Sequence, residues 1–146
     1  MFMNRSTWIG CLAVVAGLAA GAARAADVPG DISAPDAHTA AKAGKLVLVD
    51  IRTPGEWRET GVPQGAKRID MLDPQFESKL RAALSGKKDA QVAIICRTGN
   101  RSTHVQRWLR SQGYSSVLNV KEGMAGSGAG PGWIRRGLPV EACRNC

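Results

Sequence analysis

Two rhythms of apolar and polar positions run along this chain. Leu46-Val47-Leu48-Val49 and Val92-Ala93-Ile94-Ile95 are continuous apolar runs, and between them apolar residues recur at helical spacing. Runs of four bounded by turn residues predict strands buried on both faces, as in the centre of a parallel sheet. Ser33-Ala34-Pro35-Asp36 predicts a helix start, with Ser33 as N-cap, and the small Ala-rich helix runs to about Ala43 before Gly44. Thr53-Pro54-Gly55-Glu56 predicts a second helix, opened by a Thr-x-x-Glu capping box with Pro54 in its first turn. A third covers Gln75 to Leu84. A fourth covers Ser102 to Gln112, where Val105, Trp108 and Leu109 share one face. Gly61 to Gly65 reads as a turn, and shorter strands are expected around Lys67–Met71 and Ser116–Val120.

Strands alternating with short helices predict an α/β layer sandwich around a mostly parallel sheet. Its functional loops then gather at the carboxyl ends of the strands. Asp50 and Arg52, after one apolar run, and Cys96, after the other, should meet on that rim. Residues 123–132 hold five glycines and a proline, which predicts a loop pressed against the core and anchored by Trp133.

The N-terminus changes the picture of where this domain works. Arg5 supplies a positive start, Trp8 to Ala23 is apolar and small, and Ala23-Arg24-Ala25 is an A-x-A cleavage signal. Residues 1–25 therefore read as a signal peptide for export to the periplasm. Retention as an anchor is the alternative, and no membrane span is expected after cleavage. Cys11 sits inside the apolar stretch, which argues against lipid attachment. Beyond it come a short tail at 26–31, one domain at 32–141 and a C-x-x-C tail at 142–146. The full chain of 146 residues has a net charge of +8; without residues 1–25, 18 basic and 12 acidic residues leave +6. The charge is spread and no nucleic-acid motif accompanies it, so it reads as a solvated face that draws in small anions.

Candidate chemistry centres on Cys96-Arg97-Thr98-Gly99-Asn100-Arg101-Ser102. A strand delivers a thiol into a glycine-bearing turn before a helix N-terminus, between two arginines. Backbone N–H groups, the helix dipole and the cations all favour a thiolate, the nucleophilic form of cysteine. Cys143 and Cys146 are spaced for a local disulfide, with a redox or sulfur-accepting role as the alternative. They lack the further ligands a zinc site needs, and no metal is expected.

These residues resemble the rhodanese family. Leu46 through Trp57 is similar to its first signature, Val92 through Ser102 to its active-site loop, and Asn119–Gly126 with Trp133 and Gly137–Val140 to its closing segment. The resemblance implies a three-layer sandwich with helices flanking the sheet, and thiosulfate sulfurtransferase activity without metal or organic cofactor. It implies that Cys96 attacks the outer sulfur of thiosulfate and holds it as a persulfide. The N–H groups of Arg97, Thr98, Gly99, Asn100, Arg101 and Ser102 would form the anion cradle, and the two arginines would steer the donor. Cyanide or a thiol would then take the sulfur. Asp50, Arg52 and Glu56 match the first signature and read as structural, paired with one another or with the loop. A monomer is the default for so small a domain.

Two segments depart from the family pattern. Gly61-Val62-Pro63-Gln64-Gly65-Ala66 stands where many members carry a histidine and an isoleucine. Ser127 to Gly132 is longer than the usual closing segment and is placed to shape the mouth of the pocket. Other readings of the chain are a persulfide carrier acting with a partner protein, a cysteine-dependent phosphatase and a C-x-x-C thiol–disulfide oxidoreductase. Phosphatase chemistry needs five residues between cysteine and arginine, and Cys96 and Arg101 are separated by four. His104, one turn into the fourth helix, reads as a surface or packing histidine rather than a proton shuttle.

Overall fold

The computed structural model describes residues 30–146. The segment read as an export signal, residues 1–25, lies outside the described residues. In chain order the elements are α1 (Ala34–Lys42), β1 (Val47–Asp50), α2 (Pro54–Thr60), β2 (Val62–Pro63), β3 (Lys67–Arg68) and α3 (Phe76–Ala83). There follow β4 (Val92–Ile95), α4 (Asn100–Ser111), β5 (Val117–Asn119), α5 (Gly132–Arg135) and β6 (Val140–Glu141).

Four strands form a parallel sheet in the order β3-β1-β4-β5. Val49 of β1 stands between Lys67 of β3 and Ile94 of β4, and Ile94 in turn pairs with Asn119 of β5. The sheet is mixed into an α/β sandwich by side chains that alternate between its faces. Leu48, Ala93, Ile95 and Leu118 pack on one face with Ala34 and Ala37 of α1, Met124 and Trp133. Val49, Val92, Ile94 and Val117 pack on the other with Phe76 and Leu80 of α3 and Val105 and Leu109 of α4. Burying each of the larger side chains contributes about 2 kcal/mol, so both faces of the central strands must be apolar. That requirement is why β1 and β4 read as continuous apolar runs. Cys96 follows β4 on the α3–α4 face.

Both predicted helix caps are present. The Ser33 hydroxyl accepts from the Asp36 N–H at 3.2 Å, and Thr53 and Glu56 close a full capping box at the start of α2. Three features differ from the sequence expectation. The described end of the predicted tail is a further edge of the sheet: Ile32 N–H donates to the Asn119 carbonyl, and Asn119 N–H to that of Gly30. The Gly61–Gly65 turn contains β2, which pairs antiparallel with β6. Both pairings involve two or three residues with no periodicity of their own, so only tertiary contact creates them. Helix α4 begins at Asn100, two residues earlier than expected, because Gly99 takes a left-handed conformation and acts as its N-cap. Among the described residues, no helix is long and apolar enough to cross a membrane.

Candidate active site

Cys96 is 1% exposed at the carboxyl end of β4. Its sulfur does for α4 what a capping side chain normally does. Sγ accepts the N–H of Gly99 at 3.1 Å and that of Ser102, in the first turn of the helix, at 3.4 Å. The N–H groups at the start of a helix have no intrahelical partner, so an acceptor placed there is stabilised, an anionic one most of all. Ser102 Oγ lies 3.3 Å from the sulfur and 3.1 Å from the Gly99 carbonyl oxygen. Its single proton can serve either.

The tightness of the turn explains its glycine. Gly99 has φ +88°, and a Cβ there would collide with the Lys121 carbonyl. Gly123 answers it from the closing segment, where a Cβ would run into the Arg97 carbonyl. Two hydrogen bonds lock these segments together: Met124 N–H to the Cys96 carbonyl and Ala125 N–H to the Arg97 carbonyl, both 2.9 Å.

Two carboxylate–arginine pairs stand at the ends of these elements, each with its own job. Asp50 and Arg52 are 0% and 1% exposed and pair at 2.7 Å. Arg52 spends its remaining donors on the Thr60 hydroxyl at 2.7 Å and the Gly61 carbonyl at 2.8 Å. Asp50 also accepts the Arg52 N–H at 3.0 Å. Both buried charges are thereby satisfied, and the pair ties the end of β1 to the end of α2. Glu56, in α2, instead reaches across the rim to α4. It accepts both terminal nitrogens of Arg101, at 2.9 and 2.5 Å, while also capping α2 through Thr53. The Arg101 guanidinium beside Glu56 holds its carboxyl down at about 2, against the opposing effect of burial and helped by the Thr53 N–H. Arg101 is raised in turn, first by Glu56, with the Cys96 sulfur a lesser contributor.

The sequence-predicted residues therefore separate. Gly99 and Ser102 meet the Cys96 sulfur, and Arg101, next to Ser102, is paired with Glu56. Of the six predicted cradle residues, Gly99 and Ser102 donate their N–H groups to Sγ. Arg97, Thr98 and Asn100 are exposed at the surface. Arg97 makes no ion pair among the described residues. The hydroxyl at the sulfur is that of Ser102. Asp50 and Arg52 form a structural pair behind the rim. His104 is exposed and lines an apolar cavity of about 260 Å³ with Met71, Phe76 and Trp108. At the tip of the Gly-rich insertion, Ala129 lines a cavity with Asp31, Ser33 and Arg136.

Residues 33–128 match the family model for the rhodanese-like domain. The chain belongs to that family. A relative named sulfurtransferase, from Allochromatium vinosum, is 36% identical over 97 residues, covering 66% of this chain and 79% of its own. Among solved structures, Rv0390 from M. tuberculosis superposes with a TM-score of 0.63 at 26% identity, over 77% of this chain and 97% of that one. The polysulfide-sulfur transferase homodimer from Wolinella succinogenes shares the fold, with a TM-score of 0.61 at 23% identity over 78% and 79% of the two chains.

One residue of this rhodanese-like domain was legible only as part of a motif. Glu122 is 3% exposed, yet it accepts the N–H of Ala34 at 2.7 Å, the N–H of Gly132 at 2.9 Å and Arg136 Nε at 2.7 Å. Burial pushes its carboxyl up, but the Arg136 hydrogen bond and the two N–H donors outweigh that and leave it below the usual range. It holds the N-termini of α1 and α5 on the closing segment. No spacing rule in the sequence finds such a hub, because its three partners lie 88, 10 and 14 residues away.

Proposed function

We propose that this rhodanese-like protein is a thiosulfate sulfurtransferase whose nucleophile is Cys96. The observation that carries the reading is the sulfur's position as acceptor at the N-terminus of α4, with the Gly99 and Ser102 N–H groups on it. The Cys96 thiolate attacks the outer sulfur of thiosulfate. The sulfur–sulfur bond of the donor breaks, its electron pair leaves with sulfite, and Cys96 carries a persulfide. The terminal persulfide sulfur lies one bond farther out, where the N–H groups at the start of α4 favour its negative charge. Cyanide or a thiol then attacks that sulfur, and the Cys96 thiolate is restored. This is two-step covalent catalysis, for which ping-pong kinetics is the signature.

The arginines divide the electrostatic work. Arg101 is held by Glu56, so its charge is fixed in place and largely compensated. Arg97, exposed and without an ion pair among the described residues, is the free cation that draws a dianionic donor to the mouth. The segment read as an export signal supports action in the periplasm. Detection of the processed chain in a periplasmic extract, beginning at Ala26, tests that placement.

The deciding experiment incubates the protein with thiosulfate and cyanide and measures thiocyanate, with Cys96→Ser alongside. Turnover in the parent and none in the variant is the expected result. A parent that gains the mass of one sulfur atom without turning over acts instead as a carrier. A parent that gains neither mass nor turnover overturns the reading.

A further inference from the structure

The C-terminal C-x-x-C takes no part in the chemistry above, yet its surroundings are those of a reactive group. Cys143 and Cys146 are joined as a disulfide, with Cα atoms 5.6 Å apart. Arg68, the last residue of β3, donates from Nη1 to Cys143 Sγ and also to Cys146 Sγ at 3.1 Å. No carboxylate among the described residues lies within ion-pair distance of it. A second guanidinium, Arg58, donates to the Cys146 carbonyl at 2.6 Å, and Arg144 stands exposed between the two cysteines. The two sulfurs differ in access. Cys143 is 7% exposed and packs against Trp57 and Val62, whereas Cys146 is half-buried at the chain end. Beside them opens a cavity of about 230 Å³ lined by Val62, Ala66, Arg68, Glu141 and Cys143.

Neutral disulfide sulfur is a poor hydrogen-bond acceptor, so an arginine gains little by pointing at it. The same arginine gains much when the sulfur becomes a thiolate, because the hydrogen bond is then charge-assisted on both sides. Arg68 therefore stabilises the opened state more than the closed one. We propose that Cys143–Cys146 is a thiol–disulfide exchange site, with a low-molecular-weight thiol as its partner and Arg68 as the group that receives the departing sulfur. The partner's thiolate attacks Cys146 Sγ, the more accessible sulfur. A bond forms between those two sulfurs, the Cys143–Cys146 bond breaks, and its electron pair leaves on Cys143 as a thiolate at Arg68 Nη1. A second thiolate attacks the partner sulfur of the mixed disulfide and releases Cys146. Two partner thiols are oxidised to one disulfide, and the protein's disulfide is reduced by two electrons.

The test uses the full chain carrying Cys11→Ser and Cys96→Ser, so that only the C-terminal pair reacts, and glutathione as the probe. Arg68→Gln should slow reduction about tenfold and shift the equilibrium about tenfold toward the disulfide, the loss expected for one charge-assisted hydrogen bond. Peptide mapping of the quenched intermediate should place glutathione on Cys146. Equal rates with and without Arg68, or glutathione found on Cys143, would each overturn the proposal. The mapping is read with Arg68 intact, so it decides the matter even if the variant folds poorly.

Discussion

At the scale of single residues, Ser102 is the side chain whose contribution can be isolated most cleanly. Its N–H and its hydroxyl both face the Cys96 sulfur, and substitution removes only the hydroxyl. Ser102→Ala keeps the backbone donor and the helix start, so the fold should be unaffected. A hydrogen bond of this kind contributes about 1 kcal/mol, which corresponds to about a fivefold fall in the rate of sulfur transfer. Thiocyanate formation measured at saturating thiosulfate checks it. Thr98→Ala, at an exposed position with no hydrogen bond to the sulfur among the described residues, should leave the same rate unchanged. The residue type at 102 is read from sequence easily; which of two neighbouring hydroxyls meets the sulfur is not. That depends on the left-handed Gly99, which turns the chain so that Ser102, and not Thr98, points inward.

At the scale of elements, the rim is assembled by α2 and α4, joined through Glu56 and Arg101. The capping box at Thr53–Glu56 is legible because it is local, and so is the apolar run that places Cys96 at a strand end. The sequence leaves the partner of Glu56 open between its own signature and the loop, because Arg101 is 45 residues away and meets it only once β1 and β4 lie side by side. This link has a pH signature. The folded Glu56 carboxyl sits at about 2, below its ordinary 4.5. A depressed folded value means that the stabilisation is fully present above pH 4.5 and is lost as the pH falls toward about 2. Unfolding titrations between neutral pH and pH 2.5 should show the parent losing stability over the lower part of that range. Glu56→Gln should start about 2 kcal/mol lower at neutral pH and show a shallower loss, since a charge-assisted pair has gone. The same variant frees Arg101, and its effect on the apparent affinity for thiosulfate separates anchoring from substrate binding.

At the scale of the whole molecule, the active rim depends on a closing segment that no strand or helix pattern describes. Residues 121–125 press on the Cys96 loop through Gly99, Gly123 and the Met124 and Ala125 N–H groups, and Glu122 fastens that segment to α1 and α5. The glycine content predicts close approach, but what is approached emerges only from the folded chain. Glu122→Ala tests whether this fastening supports the site from a distance. The substitution deletes two buried hydrogen bonds and a partly buried one, and leaves the exposed Arg136 without its carboxylate. Leaving the buried N–H groups of Ala34 and Gly132 without an acceptor costs about 3 kcal/mol in all. For a domain of this size that lowers the midpoint of thermal unfolding by roughly 10 °C. Because the Gly99 and Ser102 donors are untouched, the variant that remains folded should still accept one sulfur on Cys96. Its turnover should fall more steeply with temperature than that of the parent, tracking the unfolded fraction. A fall in persulfide yield at low temperature, where the variant is fully folded by circular dichroism, would mean instead that Glu122 shapes the sulfur's donors directly through the closing segment.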